Sequence, residues 1–582
     1  MWFPRLRTSL RSGPRLLRTW QRRLSSGGTS PETVEQFLVR QLGFQRAPGA
    51  IHRNLPFSEA KALALQRREG VEARDPPGAL CVDTGEFTGR SPRDRYIERR
   101  EGSPLAERID WGEVNQPIER TIVDELQKQV ANYLSALPEL FVFDGLVSSG
   151  PNRLKLRVVT ELAWHHAFAS NIFIPLSSPA EAASFGEPDF TVVYASGLRN
   201  RHYRAMGLNS DIFIVLGFER RLALIAGTSY AGEMKKSVFT IMNGMLPLKG
   251  ILPLHCAATR SLSDTNPDTI CFAGLSGTGK STLSADPERK LIGDDEHSWD
   301  ETAIRNMEGG IYVKVIRLSP EKEPILYSAI RKPSTILENV VVDGHGVVQF
   351  DDASKTENTR ATCPIHNIPQ WEASRQGPPP KAFIFLVCDA FGVLPPVSVL
   401  TPLQAAYHFI LAYTAKVAGT ERGVLRPTAT FSTCFGAAFM PLNGQVYAQL
   451  LNEKLERHGT QVYLVNTGWA GGGAADGAAR MDLEVSRAIV RAIATDAIPT
   501  SQVSAPDPIF GLRVPRAIPG LDSRLLHPAT YWADARLYEQ RARYLAERMH
   551  AEYLRKGYNP EWAAGGPLWP SRLASHRGTQ AN

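Results

Sequence analysis

The clearest chemical signal in the sequence is a phosphate-binding loop. Residues 274–281 read Gly-Leu-Ser-Gly-Thr-Gly-Lys-Ser and match G-x-x-x-x-G-K-[ST] in full. The glycines let backbone N–H groups converge on phosphate oxygens, while Lys280 would neutralise the β- and γ-phosphates and Ser281 would ligate Mg²⁺. The motif predicts a nucleoside triphosphate site with the contact residues Gly274, Leu275, Ser276, Gly277, Thr278, Gly279, Lys280, Ser281 and Thr282.

A pair of carboxylates follows the loop. Lys290-Leu-Ile-Gly leads into Asp294 and Asp295, and a short apolar run that ends in acidic residues resembles a Walker-B strand. Acidic pairs at strand ends are common on protein surfaces, but beside a phosphate loop a bound metal explains them better. We therefore expect a divalent cation next to the nucleotide.

The elements that must hold the loop indicate an α/β fold, because strand-like and helix-like segments alternate through the chain. A short apolar strand at 269–273 precedes the loop, and 281–284 is expected to open a helix. The hydrophobic pattern predicts further helices at 121–137, 403–417, 482–495 and 538–553, and strands at 212–216, 222–226 and 383–387.

Composition excludes several classes of protein. The chain has 582 residues, of which 43% are hydrophobic and 21% charged, so it is not globally disordered and has length for about two to four domains. Six scattered cysteines without a CxxC pair are no disulfide framework and favour a reducing compartment. No apolar run approaches the roughly 18 residues of a membrane-spanning helix, so none is predicted.

The positive charge of the chain is concentrated at its start. The formal net charge is +7, and residues 1–28 hold seven arginines and no acidic residue. The rest of the chain is therefore formally neutral, which gives no support for a nucleic-acid partner. The arginines recur on one helical face with apolar residues on another, as in mitochondrial transit peptides. We expect 1–28 to direct the protein to the mitochondrial matrix; a chloroplast address, a disordered basic tail or a cytoplasmic protein are the alternatives.

A series of motifs in order along the chain resembles those of the ATP-dependent phosphoenolpyruvate carboxykinases, from about Val82 to about Arg487. Beside the phosphate loop, the motifs are Asp83-Thr-Gly-Glu-Phe-Thr-Gly-Arg90, Tyr230-Ala-Gly-Glu-Met-Lys-Lys236, Leu254-His-Cys256, Leu291-Ile-Gly-Asp-Asp-Glu-His297, Lys355-Thr-Glu-Asn-Thr-Arg360, Asp389-Ala-Phe-Gly-Val-Leu-Pro-Pro396, Thr414-Ala-Lys-Val-Ala-Gly-Thr-Glu-Arg-Gly423 and Asn466-Thr-Gly-Trp469. The loop contains Ser-Gly-Thr-Gly and no cysteine, which resembles the ATP-using rather than the GTP-using branch.

The resemblance implies a reaction and a fold. Oxaloacetate would lose CO₂, and the resulting enolate would take the γ-phosphoryl group of ATP to give phosphoenolpyruvate and ADP, in gluconeogenesis or anaplerosis. The implied fold is two α/β domains with the active site in the cleft between them. We expect an N-terminal substrate-binding domain at 29–250, a C-terminal P-loop domain at 251–559 and a loose tail at 560–582. The protein would be a monomer or a homo-oligomer.

The resemblance also implies metal ligands. By position, Lys236, His255 and Asp295 would bind Mn²⁺, a metal that accepts mixed nitrogen and oxygen donors. Mg²⁺ would accompany ATP, with Ser281 as its protein ligand.

Substrate and nucleotide contacts follow from the same resemblance. Arg90, Arg360 and Tyr230 would hold the dianionic substrate, since guanidinium groups bind carboxylate and phosphoryl oxygens in bidentate fashion. Lys235 and Lys280 would balance charge as the phosphoryl group moves. The implied nucleotide contacts outside the loop are Lys236, His255, Glu323, Arg360, Arg422 and Thr428.

Two other functions would also account for the phosphate loop. A small-molecule or protein kinase would use Lys280 and Asp295, but it leaves Lys236, His255, Arg90 and Arg360 without a joint purpose. A non-catalytic ATP-binding regulator would be favoured by the loss of a metal ligand, and none of the three is lost.

Overall fold

The computed structural model describes residues 32–416, 428–498 and 502–569. Helices and strands are mixed along these residues, which confirms the α/β fold class. The expected targeting segment at 1–28 and the candidate nucleotide contact Arg422 lie outside the described residues. Within the described ranges, no helix combines the length and the apolar character that crossing a membrane requires.

Packing divides the described residues into two compact units. The first unit combines 32–251 with 306–373 and 439–443, and the second holds the remaining described residues. The expected C-terminal domain at 251–559 is a continuous stretch, whereas in the structure 306–373 and 439–443 pack with the N-terminal stretch. Strand pairing explains why 306–373 packs with the N-terminal stretch, because Ile336–Glu338 lies parallel to and beside Leu80–Val82.

The larger sheet of the first unit has nine strands among the described residues. In spatial order they are Ala50–Arg53, Glu139–Val147, Leu154–Thr160, Phe190–Ala195, Leu222–Ala226, Phe213–Gly217, Arg95–Arg99 and Gln116–Glu119, with Ile174–Pro175 also beside Glu139–Val147. The predicted strands at 212–216 and 222–226 are confirmed as an antiparallel pair.

A second sheet of the first unit carries Arg360. The order of its five strands, within the described residues, is Gly310–Lys314, Arg360–Pro364, Ile336–Glu338, Leu80–Val82 and Val71–Glu72. A two-stranded ribbon pairs Val341–Val342 with Val348–Gln349. The helices of this unit are Val34–Leu42, Phe57–Gln66, Arg120–Ser135, Ala163–Ile172, Pro179–Ala183, Gly232–Met245 and Pro324–Ile330.

The Arg120–Ser135 helix illustrates how the larger sheet obtains its core. Val123, Leu126, Val130 and Leu134 recur at the spacing of one helical face and are buried. They belong to one apolar cluster with inward residues of the strands. The prediction of a helix at 121–137 is confirmed, with each end displaced by one or two residues.

The second unit is built on a sheet that contains the phosphate loop. Its strands, in spatial order, are Gln376–Gly377, Ile304–Asn306, Glu296–Trp299, Leu252–Ser261, Thr269–Gly274, Ala382–Val387, Gln461–Asn466 and Val397–Leu400, with Arg289–Gly293 also beside Leu252–Ser261. The strands predicted at 269–273 and 383–387 are confirmed as parallel neighbours. The helices are Lys280–Ser284, Pro402–Leu411, Gly444–His458, Leu483–Ala494, Pro528–Tyr531 and Ala535–Arg555.

Two predictions for this unit agree with the structure only in part. The helix expected at 403–417 ends at Leu411, because Ala412 takes a left-handed conformation with φ of 43° and the chain then forms the strand Tyr413–Lys416. The backbone groups of that strand bond across to Thr428–Phe431 instead of continuing a helix.

The tail expected to be loose from residue 560 is ordered where it is described. Pro560–Gly565 forms a 3₁₀-helix. A Cβ on Gly565 would lie 2.3 Å from the carbonyl oxygen of Leu403, and the Leu568 N–H donates to the Ile509 carbonyl oxygen at 2.7 Å. Residues 560–569 therefore pack against their own unit, and the rest of the expected tail, 570–582, lies outside the described residues.

We predict that Leu126→Ala destabilises the first unit by about 2–5 kcal/mol, because truncating this fully buried side chain leaves a cavity in the core. Chemical denaturation followed by circular dichroism measures this loss. Leu554→Ala is the matched control, since that leucine is 63% exposed, and equal stability losses in both variants would contradict the described core.

Candidate active site

The phosphate loop of the second unit is shaped by close backbone contacts. It begins at Gly274, where a Cβ would lie 2.4 Å from the Thr278 hydroxyl oxygen. It ends at Gly279, whose φ of 88° lies in the left-handed region and which caps the Lys280–Ser284 helix. The Thr278 hydroxyl donates to the Leu275 carbonyl oxygen at 2.7 Å, which closes the turn. The predicted strand–loop–helix arrangement is therefore present.

Two residues from a distant part of the same unit hold the loop. The Thr467 hydroxyl donates to the Thr278 carbonyl oxygen at 2.9 Å, and Arg480 Nη2 donates to the Gly277 carbonyl oxygen at 3.0 Å. Arg480 Nε also donates to the Thr467 carbonyl oxygen at 2.8 Å. With these carbonyls engaged, the loop is held in one conformation for binding phosphate. We assigned neither residue a role from sequence, although Thr467 lies in a quoted motif.

Lys280 and His255 meet at one oxygen of Asp295. The distance from Lys280 Nζ to Asp295 Oδ1 is 2.6 Å, and the distance from His255 Nε2 to the same oxygen is 3.0 Å. His255 pairs with Glu296 in the antiparallel register of neighbouring strands, so Asp295 directly precedes its partner. The sheet therefore brings together three residues predicted from separate motifs.

The histidine has the orientation that a metal ligand requires. His255 Nδ1 lies 2.7 Å from the Phe435 carbonyl oxygen, which can only accept, so Nδ1 carries the hydrogen. In the neutral ring, the lone pair of Nε2 then points toward the Asp295 carboxylate. Metal-bound histidines characteristically donate their other N–H to such a carbonyl. His255 and Asp295 therefore fit a divalent cation, while Ser281 stands in the first turn of the helix, half-buried.

In the first unit, one aromatic ring supports two cations. The guanidinium carbon of Arg90 lies 4.5 Å from the ring centre of Phe439, and Lys236 Nζ lies 4.8 Å from the same centre. Ring faces attract cations through their quadrupole, so the ring can hold both groups near each other without neutralising either. We assigned Phe439 no role from sequence, because its partners lie far away along the chain.

A buried carboxylate lies beside Arg90. Glu233 accepts a hydrogen bond from the N–H of Ser91 at 2.6 Å, and Ser91 directly follows Arg90 in the chain. Burial raises the pKa of Glu233, against the opposing charges of Arg90 and Arg95 and the Ser91 hydrogen bond. Burial also lowers the pKa of Arg95 to about 10, and the nearby Arg90 charge acts in the same direction. Positive charge is therefore concentrated around Arg90, and the buried Glu233 offsets part of it.

Asn358 joins three of the predicted substrate elements. Its Oδ1 accepts from Nε and Nη2 of Arg360, at 3.0 and 2.9 Å. Its Nδ2 donates to the Tyr230 hydroxyl at 3.2 Å and to the Thr88 carbonyl oxygen at 2.8 Å, two residues before Arg90. Asn358 stands in one of the sequence motifs, but the motif alone does not indicate its role, since only the fold reveals these contacts.

The remaining candidates have separate surroundings. Lys235 is 1% exposed and pairs with Glu308 at 2.9 Å in the first unit. Glu323 lies at the start of the Pro324–Ile330 helix of that unit, and Thr428 is exposed at the start of a strand of the second. The nucleotide roles of Glu323, Thr428 and Arg422 stay predictions.

Comparison with known proteins gives matches to one family along most of the chain. A family profile described as phosphoenolpyruvate carboxykinase matches residues 49–524. "Phosphoenolpyruvate carboxykinase (ATP) 1" of Moorella thermoacetica is 48% identical over 501 residues, which cover 86% of this chain and 93% of that protein. "Phosphoenolpyruvate carboxykinase (ATP)" of Bacillus subtilis is 45% identical over 526 residues, which cover 89% of this chain and 96% of that protein. The protein of the same name from Geobacillus kaustophilus is 46% identical over 505 residues, with 86% and 93% covered.

We predict that Arg480→Ala weakens ATP binding at least about tenfold, because the loop loses a charge-assisted hydrogen bond worth about 1.5–3 kcal/mol. Isothermal titration calorimetry with ATP measures the change. Arg487→Ala is the matched control, as that arginine pairs with Glu484 on the following helix. Unchanged ATP affinity in the Arg480 variant would show that the contact does not support the loop.

Proposed function

The chain belongs to the phosphoenolpyruvate carboxykinase family, and we propose that it is the ATP-dependent enzyme, which converts oxaloacetate and ATP to phosphoenolpyruvate, ADP and CO₂. The observation that carries this proposal is the meeting of Lys280 and His255 at Asp295. A kinase of another kind needs the loop lysine and the acid, but it has no use for a histidine oriented as a metal ligand beside them. A carboxykinase uses all three.

Substrate binding falls to residues of the first unit. Oxaloacetate is a dianion, and Arg90, Tyr230 and Arg360 offer it two guanidinium groups and a hydroxyl. Asn358 holds Tyr230 and Arg360 by hydrogen bonds, so both are oriented before the substrate arrives. Orientation of this kind lowers the entropic cost of reaching the transition state.

Both chemical steps develop negative charge, which the candidate lysines and arginines can stabilise. Decarboxylation breaks the carbon–carbon bond to the departing CO₂ and leaves its electron pair as an enolate. The enolate oxygen attacks the γ-phosphorus, and the bond to the ADP oxygen breaks, so negative charge moves onto ADP. Lys280 would stabilise the β- and γ-phosphoryl oxygens during this transfer, and Lys235, Arg90 and Arg360 would stabilise the enolate and the moving phosphoryl group.

We assign two divalent cations to the enzyme. Lys236, His255 and Asp295 would hold Mn²⁺, with lysine binding through its unprotonated amine, and Ser281 would hold the Mg²⁺ that accompanies ATP. When bound, Mn²⁺ supplies Lewis acidity to the substrate carbonyl oxygen. The orientation of His255 supports this assignment, since its Nδ1 hydrogen is engaged by the Phe435 carbonyl.

For the cellular address we propose mitochondrial import through residues 1–28, on the strength of their arginine spacing and lack of acidic residues. Fusing 1–28 to a fluorescent protein tests this. Mitochondrial fluorescence is expected, and diffuse fluorescence would contradict it.

We predict that the purified protein forms phosphoenolpyruvate from oxaloacetate with ATP and Mn²⁺ and strongly prefers ATP to GTP. A coupled assay for phosphoenolpyruvate, run with both nucleotides side by side, measures this. A folded protein that binds ATP but forms no product would instead be the non-catalytic regulator.

We predict that His255→Ala and Lys236→Met each lower kcat/KM at least about a hundredfold, because the charge on the substrate oxygen loses its stabilisation. ATP binding is expected to persist in both variants, as calorimetry would show. His345→Ala and Lys249→Met, at exposed positions of the first unit, are the matched controls. Wild-type Mn²⁺ dependence in either test variant would refute the ligand assignment.

A further inference from the structure

Among the buried carboxyl groups that the reaction described above leaves without a role, one lies opposite an arginine assigned to the substrate. Glu338 is fully buried at the end of the Ile336–Glu338 strand and lies directly opposite Arg360 in an antiparallel pair. Residues opposite one another in such a pair extend to the same face of the sheet, with Cβ atoms about 5 Å apart. A buried acid therefore faces the arginine that we assign to the substrate.

Tyr312 connects Glu338 to two of the catalytic cations. Its hydroxyl donates to Glu338 Oε2 at 3.1 Å. The ring centre of Tyr312 lies 5.5 Å from the guanidinium carbon of Arg360 and 6.0 Å from Lys235 Nζ. The carboxyl group thus holds, by a hydrogen bond, an aromatic ring that both cations contact.

The surroundings favour the uncharged form of Glu338. Burial raises its pKa to about 8, although the Tyr312 hydrogen bond, the Arg360 charge and the Ala231 N–H act against this. Its Oε1 has no hydrogen-bond partner among the described residues. The titratable and charged groups on the elements around it are Cys81, Tyr194, Tyr230, Glu233, Lys235, Lys236, Tyr312, Lys314, Arg360 and Cys363.

We propose that Glu338 is a positioning residue for Arg360: uncharged, it leaves the guanidinium group to the substrate, and ionised, it draws that group away. This inference rests on the proposed function, because it requires Arg360 to bind the substrate. An ionised Glu338 is a buried charge that attracts the positive charge of Arg360, and a substrate dianion competes for the same guanidinium. Substrate affinity therefore falls as Glu338 loses its proton.

The size of the effect follows from the population of the competent form. With a pKa of about 8, nearly all molecules carry a protonated Glu338 at pH 7 and about one tenth do at pH 9. Apparent affinity scales with the competent fraction, so it is expected to fall about tenfold over this range.

The test compares phosphoenolpyruvate dissociation constants at pH 7 and pH 9 for the full chain in the presence of Mg²⁺. Glu338→Gln mimics the protonated acid, since its amide oxygen still accepts from Tyr312. The variant is expected to match wild type within about twofold at pH 7 and to bind about tenfold more tightly than wild type at pH 9. Taking the ratio of the two proteins cancels the titration of the substrate phosphate and of all other groups.

Two further variants sharpen the test. Tyr312→Phe removes a hydrogen bond that favours ionised Glu338, so the alkaline loss of affinity is expected to move to higher pH. Glu98→Gln is the matched control: Glu98 is also buried, burial also raises its pKa, and it pairs with Arg220. It is expected to follow the wild-type pH profile.

Equal pH profiles of wild type and Glu338→Gln, or an equal loss of affinity in Glu338→Gln at every pH, would overturn the inference and leave the proposed function intact. A wild-type protein that binds no phosphoenolpyruvate at pH 7 would overturn both together.

Discussion

Repulsion between cations is the constraint on which both units depend. A dianionic substrate and a triphosphate call for several positive groups, yet buried cations without partners are costly. Each candidate cation that the structure describes accordingly has a partner within its own unit. The pairs are Arg90 and Lys236 with the Phe439 ring, Lys235 with Glu308, Arg360 with Asn358, and Lys280 with Asp295.

The kind of partner determines how much charge is left for substrate. An aromatic ring or an amide oxygen fixes a cation without cancelling its charge, and these are the partners of Arg90 and Arg360, the two arginines assigned to the substrate. A carboxylate cancels most of the charge it meets, and carboxylates partner the two lysines assigned to charge balance. Glu338 lies between these cases, because its own charge depends on pH.

Local sequence patterns were enough to predict the elements whose residues are neighbours in the chain. The phosphate loop, its strand and its helix lie within about twenty residues of one another, and motif and periodicity identified them together. The helix expected at 403–417 shows the limit, since the strand that replaces its end exists only because Thr428–Phe431 pairs with it. Apolar periodicity cannot reveal a partner strand.

Long-range contacts explain the functional residues that sequence patterns missed. Arg480 reaches Gly277, Phe439 lies beneath Arg90, and Glu338 faces Arg360 only once the strands have paired. An arginine, a phenylalanine or a glutamate at such positions has many ordinary explanations in a sequence. The family resemblance supplied the groups proposed to bind substrate, and the structure supplied the groups that hold them.

The discontinuity of the first unit has a consequence for how the chain is made. Thr84 hydrogen-bonds to Asn339, 255 residues later, and the Leu80–Val82 strand has its parallel neighbour at Ile336–Glu338. A ribosome delivers these segments in order, so the early strand emerges long before its partner and offers an open edge in the meantime. Unpaired edges recruit other chains. Biogenesis of this enzyme therefore depends on shielding an incomplete sheet until the later strand has been made.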